Sequence, residues 1–145
     1  MKGRILAVVL SAAVGLVLLF NGQEAKANHD PVSTINNVFL ALNSGKVDSA
    51  VTSFAEDAIV ENWVRDETYS GVSEIRQMLQ GMARDGRQFV IVDTEMEGDT
   101  ITAEVEVSDG GIVWGTETIV AVVKEGKLQT FNVAAFRLEL WRIGR

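Results

Sequence analysis

Two hydrophobic rhythms divide the chain. In the first half, Val32, Ile35, Val38, Phe39 and Leu42 recur at the spacing that lines one face of a helix. Asp30-Pro31 supplies its start: Asp can accept from free amides, and Pro is at home in the first turn. Asn43-Ser44-Gly45 ends it. A second, shorter helix is predicted from about Val47, with Val47, Ala50, Val51 and Phe54 as its inward stripe. Ala58 to Val64 reads as a short strand. Tyr69-Ser70-Gly71 then punctuates the chain before a third helix, where Val72, Ile75, Met78, Leu79 and Met82 share a face. Methionines at this spacing read as core filler rather than ligand contacts.

From Phe89 the period falls to two. Ile101, Ala103, Val105 and Val107 alternate with Thr102, Glu104, Glu106 and Ser108, the mark of a half-buried strand. Gly98-Asp99 joins that strand to Phe89–Met96 as a hairpin. Asp109-Gly110-Gly111 opens the next turn, and Ile112 to Val123 is apolar on both faces. Glu125-Gly126 leads into a last strand from Leu128 to about Leu140. Helices first and an antiparallel meander afterwards define an α+β domain with segregated elements.

The segment before Asp30 has a different character. Lys2 and Arg4 precede an unbroken apolar run from Ile5 to Phe20, and Ala25-Lys26-Ala27 follows as an A-x-A cleavage pattern. The run is shorter than the ~20 residues a helix needs to cross a bilayer comfortably. The expectation is a signal peptide over 1–27, cut after Ala27, and a secreted or periplasmic protein with no stable membrane insertion after cleavage. An uncleaved N-terminal membrane anchor is the alternative. The chain has no cysteine, which excludes a lipid-modified N-terminus and fits a domain that folds by packing alone.

Charge narrows the partners. The chain of 145 residues carries −7, and removing the basic leader makes the remainder more acidic still. Such a surface repels nucleic acid and anionic membranes, whereas a small neutral or cationic ligand stays open. The sole histidine, His29, sits beside the cleavage point, a poor place to hold a base in register. With one His and no Cys, neither a His-rich nor a thiolate metal site can be built, and no cofactor is expected. Glu95-Glu97-Asp99 reads as a solvated face.

Several strings, in order, resemble the nuclear transport factor 2-like superfamily in its SnoaL-like and ketosteroid-isomerase-like branches. They are Phe39-Leu40-Ala41-Leu42-Asn43-Ser44-Gly45, Val47-Asp48, Phe54-Ala55-Glu56-Asp57-Ala58, Tyr69-Ser70-Gly71 with Ile75, and Gly126-Lys127-Leu128. The resemblance spans nearly the whole of 28–145 and implies a cone: a curved antiparallel sheet wrapped around N-terminal helices, with an apolar pocket in its mouth. Members include isomerases, dehydratases, epoxide hydrolases, polyketide cyclases and non-catalytic binding or dimerisation modules, so the fold alone does not name a function.

Isomerase chemistry needs a carboxylate base and two donors aimed at an oxyanion. The resemblance puts those three positions on Asn62, Val38 and near Ile119. Val and Ile have no proton to give, and Asn is no base at neutral pH. No paired carboxylates with an intervening arginine suit the epoxide-hydrolase pattern either. Glu117 is the remaining catalytic candidate. It shares a side with Ile119 and Ala121, so it would face the pocket with a raised pKa, as acid or base. Its bland alternative is a pairing with an arginine such as Arg76, or a place at the rim. Asn62, Trp63, Tyr69 and Trp114 are the expected ligand-binding residues, since aromatics with one polar atom suit an apolar ligand that needs orienting. For both tryptophans, core or dimer packing is the competing role. Val113, Val120 and Val122 would form an apolar strip on the outer face, which suggests a homodimer. The leading reading is an exported domain binding a small apolar molecule without a recognisable catalytic set. An isomerase, dehydratase or cyclase using Glu117, and a dimerisation module with a filled cone, are its rivals.

Overall fold

The computed structural model describes residues 30–139. The predicted leader, its cleavage point and His29 lie outside them. Helix α1 spans Pro31–Asn43 and buries Ile35, Val38, Phe39 and Leu42. Its end is a Schellman motif: Gly45 adopts φ 71°, its N–H donates to the Leu42 carbonyl, and the Lys46 N–H donates to that of Ala41. Glycine takes this left-handed conformation without steric cost.

Helix α2 covers only Val47–Val51. Phe54, expected on its inward stripe, instead opens strand β1, Phe54–Asn62. The correction has a tertiary cause. The Leu128 N–H donates to the Ser53 carbonyl, and Phe54 pairs with Leu128 in parallel, so the last strand draws this segment out of the helix. A strand that periodicity does not mark, β2 (Glu67–Ser70), folds back on β1 with Asn62 opposite Glu67 and Ile59 opposite Ser70. Helix α3, Gly71–Arg84, buries Ile75 and Leu79, while the Glu74 carboxylate accepts from the Ser70 N–H at its start.

Strands β3 (Gln88–Glu97), β4 (Thr100–Asp109), β5 (Ile112–Lys124) and β6 (Lys127–Leu138) form the expected meander. The six strands make one sheet in the order β2-β1-β6-β5-β4-β3, antiparallel except for the β1–β6 pair. Register shifts interrupt the β3–β4, β4–β5 and β5–β6 ladders. Bulges of this kind bend a strand and increase its local twist, which curves the sheet. Its concave side carries Ile101, Ala103, Val105, Val107, Ile119, Ala121 and Phe131 into one core with α1 and α3. Gly115 in β5 is a packing requirement. A Cβ there would lie 2.2 Å from the Phe136 ring and 3.2 Å from the Arg137 carbonyl oxygen.

Candidate functional site

The hydrophobic core does not fill the cone. A cavity of about 460 Å³ opens between the helices and the concave face of the sheet. Its floor is phenylalanine: Phe39 from α1 stacks on Phe89 from β3 at 5.4 Å and meets Phe131 from β6 at 6.0 Å. Val60, Val133, Met78 and Met82 extend the apolar wall. Met78 and Met82, whose spacing predicts core filler, are only partly buried and line this space.

Polar groups reach the cavity from different elements. Glu117 projects from β5 on the side of Ile119 and Ala121, as strict alternation requires, and lies on the cavity wall. Burial pushes its carboxyl pKa up, while the positive charges of Arg87 and Arg65 pull the other way. Arg76 is not its partner, because that guanidinium donates to the Asp48 carboxylate. Asn62 ends β1, where its Oδ1 accepts from the N–H groups of Val64 and Arg65, both at 3.0 Å. Two donors on one oxygen settle which amide atom is which, so Nδ2 is left as a donor. The turn continues through Asp66 at φ 60° and returns the chain as β2. Tyr69 on β2 lines the cavity and donates its hydroxyl to Glu67 at 3.0 Å. Burial, then the bond to Glu67, raises its pKa and keeps the phenol protonated.

The two tryptophans lie elsewhere. Trp63 is 54% exposed on the turn, with its indole N–H bonded to Glu61 at 2.7 Å. Trp114 sits at the register shift in β5, edge-on to Phe136 at 5.7 Å, with Arg87 over its ring at 4.9 Å. Its Nε1 is buried with no hydrogen-bond partner among the described residues. Of the isomerase positions, Val38 and Ile119 are buried in the core and Asn62 lines the cavity. Val113, Val120 and Val122 are half-buried on the outer side of β5. Glu95, Glu97 and Asp99 are exposed, and no group of three or more metal-ligating residues occurs among the described residues.

Sequence reasoning missed the arginines. Arg65 lies in the β1–β2 turn and Arg87 just before β3, and both border the cavity. No periodicity marks a charged residue in a turn, so nothing local could have selected them.

The elevated Glu117 pKa predicts a pH-dependent stability term. A carboxyl whose folded pKa lies above its unfolded value contributes most below the ordinary 4.5, and the contribution is lost as pH rises through the folded value. Glu117→Gln, which cannot ionise, should therefore match the parent protein in acid and exceed it in melting temperature at neutral pH. Unfolding curves across that range check this; parallel curves would place the carboxyl in water.

The sequence matches no curated protein. Solved structures share the fold at low identity. An NTF2-like protein of unknown function from Cytophaga hutchinsonii is 10% identical, with 80% of this chain and 96% of that one covered and a TM-score of 0.59. The epoxide hydrolase/cyclase-like enzyme SalBIII, of pyran ring formation in the polyether salinomycin, is 15% identical over 81% and 96%, with a TM-score of 0.65. A LEH-like epoxide hydrolase from M. tuberculosis is 15% identical over 79% and 86%, with a TM-score of 0.60. The model of the SnoaL-like domain matches residues 35–136, most of the chain, and the protein belongs to that family.

Proposed function

We propose that this is an exported SnoaL-like domain whose cone binds a small, largely apolar molecule. The observation that carries the reading is the open cavity of about 460 Å³, with a phenylalanine floor and polar groups set around it by several elements. Cavities of this size and lining suit a ligand that buries most of its surface and is oriented by a handful of bonds. Tyr69, Asn62 and Glu117 supply those bonds, arriving from β2, β1 and β5.

A thermal-shift screen against steroids, terpenoids, aromatic polyketides and fatty acids tests it. The protein is best recovered from the periplasm or medium, where its first residue should be Asn28. A ligand present at a hundred times its dissociation constant adds ~2.7 kcal/mol, a shift of several degrees in a domain this size. Stabilisation by one class supports the pocket. No shift with any of them favours a non-catalytic dimerisation module.

One observation favours a catalytic second reading: a carboxyl whose pKa burial raises stands on the wall of the cavity. Such a group can act as acid or base towards a bound carbonyl or hydroxyl. In that reading, Glu117→Gln keeps ligand affinity and abolishes turnover of an isomerase, dehydratase or cyclase kind. Affinity retained with no turnover to lose leaves the binding function.

A further inference from the structure

The cavity of an acidic protein is bordered by arginines. The chain carries −7, yet Arg65, Arg84 and Arg87 all line this one space, alongside Glu67, Asp85 and Glu117. We propose that the mouth of the cavity selects a carboxylate-bearing amphiphile, its apolar body on the phenylalanine floor and its anionic end held by Arg87 and Arg65. The proposal rests on the ligand-binding reading above and names the ligand's chemical class.

Arg87 is the principal anchor. It is half-buried and lies in no ion pair among the described residues. Its guanidinium rests over the Trp114 ring at 4.9 Å, and Phe136 packs edge-on against that ring at 5.7 Å. A stacked guanidinium is held through its face, which leaves the N–H fork at its edge available for a carboxylate. Trp114, absent from the cavity wall, thus acts as a positioning residue for Arg87.

Arg65 approaches from the opposite side, on the β1–β2 turn that Asn62 braces. Its link to Glu67 is long, 3.9 Å, and that carboxylate already accepts from Tyr69 at 3.0 Å. Arg65, Arg87 and Glu117 all line the same cavity. A cationic ligand would meet these arginines, while of the carboxylates on the same wall Glu67 already accepts from Tyr69 and pairs with Arg65, Asp85 is exposed, and burial favours the neutral form of Glu117. A neutral ligand would give the Arg87 donors at most an uncharged acceptor, a weaker partner than a bidentate carboxylate.

Three probes with the same eight-carbon tail isolate the polar end: octanoate, octanol and octyltrimethylammonium, titrated by calorimetry with tryptophan emission recorded in parallel. Octanoate should bind at least about tenfold tighter than octanol, the scale of a charge-assisted pair, and should weaken with added salt. Arg87→Gln should remove the gap between octanoate and octanol, and Trp114→Leu should narrow it, with unfolding curves confirming that each variant is folded. Octanol equal to octanoate, tightest binding by the ammonium, or a gap that survives Arg87→Gln would each overturn the anionic selectivity while leaving the pocket intact. No binding of any probe would overturn the pocket reading as well.

Discussion

Replacing Phe39 by alanine should destabilise the domain by about 3–5 kcal/mol, the range for losing a buried aromatic side chain. The side chain is 2% exposed and touches two other rings, Phe89 at 5.4 Å and Phe131 at 6.0 Å. Its removal deletes the ring that joins Phe89 to Phe131 and Phe54 in a four-ring cluster. Each lost pair also forfeits roughly 0.5–1.5 kcal/mol of ring–ring attraction beyond burial. Neighbouring groups cannot collapse into the hole, because Phe89 and Phe131 are fixed on different strands of the sheet. Against the roughly 5–15 kcal/mol that holds a typical domain together, this is a large share. Denaturant unfolding measures it; a loss below about 1 kcal/mol would show that these rings are not packed as a unit. The same substitution enlarges the cavity at its floor, so a ligand that fits the parent protein should bind the variant more weakly for lack of contact.

Asn43→Ala should cost about 2–3 kcal/mol, from two backbone groups that each lose their partner. Asn43 closes α1, and its side chain bonds twice to Phe89 on the edge strand β3. Nδ2 donates to the Phe89 carbonyl at 2.8 Å, and Oδ1 accepts from the Phe89 N–H at 2.8 Å. One amide side chain thereby supplies what an additional strand would supply at that point, and it pins a cavity-lining ring to the first helix. Only a side chain with one donor and one acceptor at this length satisfies both groups. Aspartate keeps the acceptor, loses the donor and sets a charge beside a carbonyl, so Asn43→Asp should recover little. Hydrogen exchange at the Phe89 amide gives the local readout: strong protection in the parent protein, fast exchange in both variants. Unchanged protection would mean that the edge holds without its brace.

Asn43 also shows what a linear reading sees and what it passes over. As part of Asn-Ser-Gly it is legible as a helix stop, and the helix does stop there. Its second task depends on Phe89 arriving alongside, far off in sequence, and no local pattern encodes that. Phe54 fails for a related reason. Its spacing suits the inward face of a helix, yet pairing with Leu128 places it at the head of β1. The strand Glu67–Ser70 was invisible because it is short and carries no apolar run; β1 alone gives it a pairing partner. The indoles of Trp63 and Trp114 have the chemistry of a pocket lining, but an indole suits several surroundings. Which one it meets depends on a turn in the first case and a register shift in the second.

By itself the sequence determined the periodic part of the molecule: α1, α3 and the β3–β6 meander, and with them which residues face inward. Periodicity is local geometry, 3.6 residues per helical turn and two per strand repeat, so a side chain's direction follows from its neighbours'. Glu117 belongs to this class, since clean alternation with Ile119 and Ala121 turns it toward the interior. Only the tertiary structure decided what that interior contains. The cavity, its phenylalanine floor and the arginines on its wall come from α1, α3, two connecting segments and five strands meeting in space. Such meetings are set by strand order, by bulges and by long-range bonds such as Asn43 to Phe89. Their free energy depends on partners distant along the chain, which is why no window of the sequence displays them.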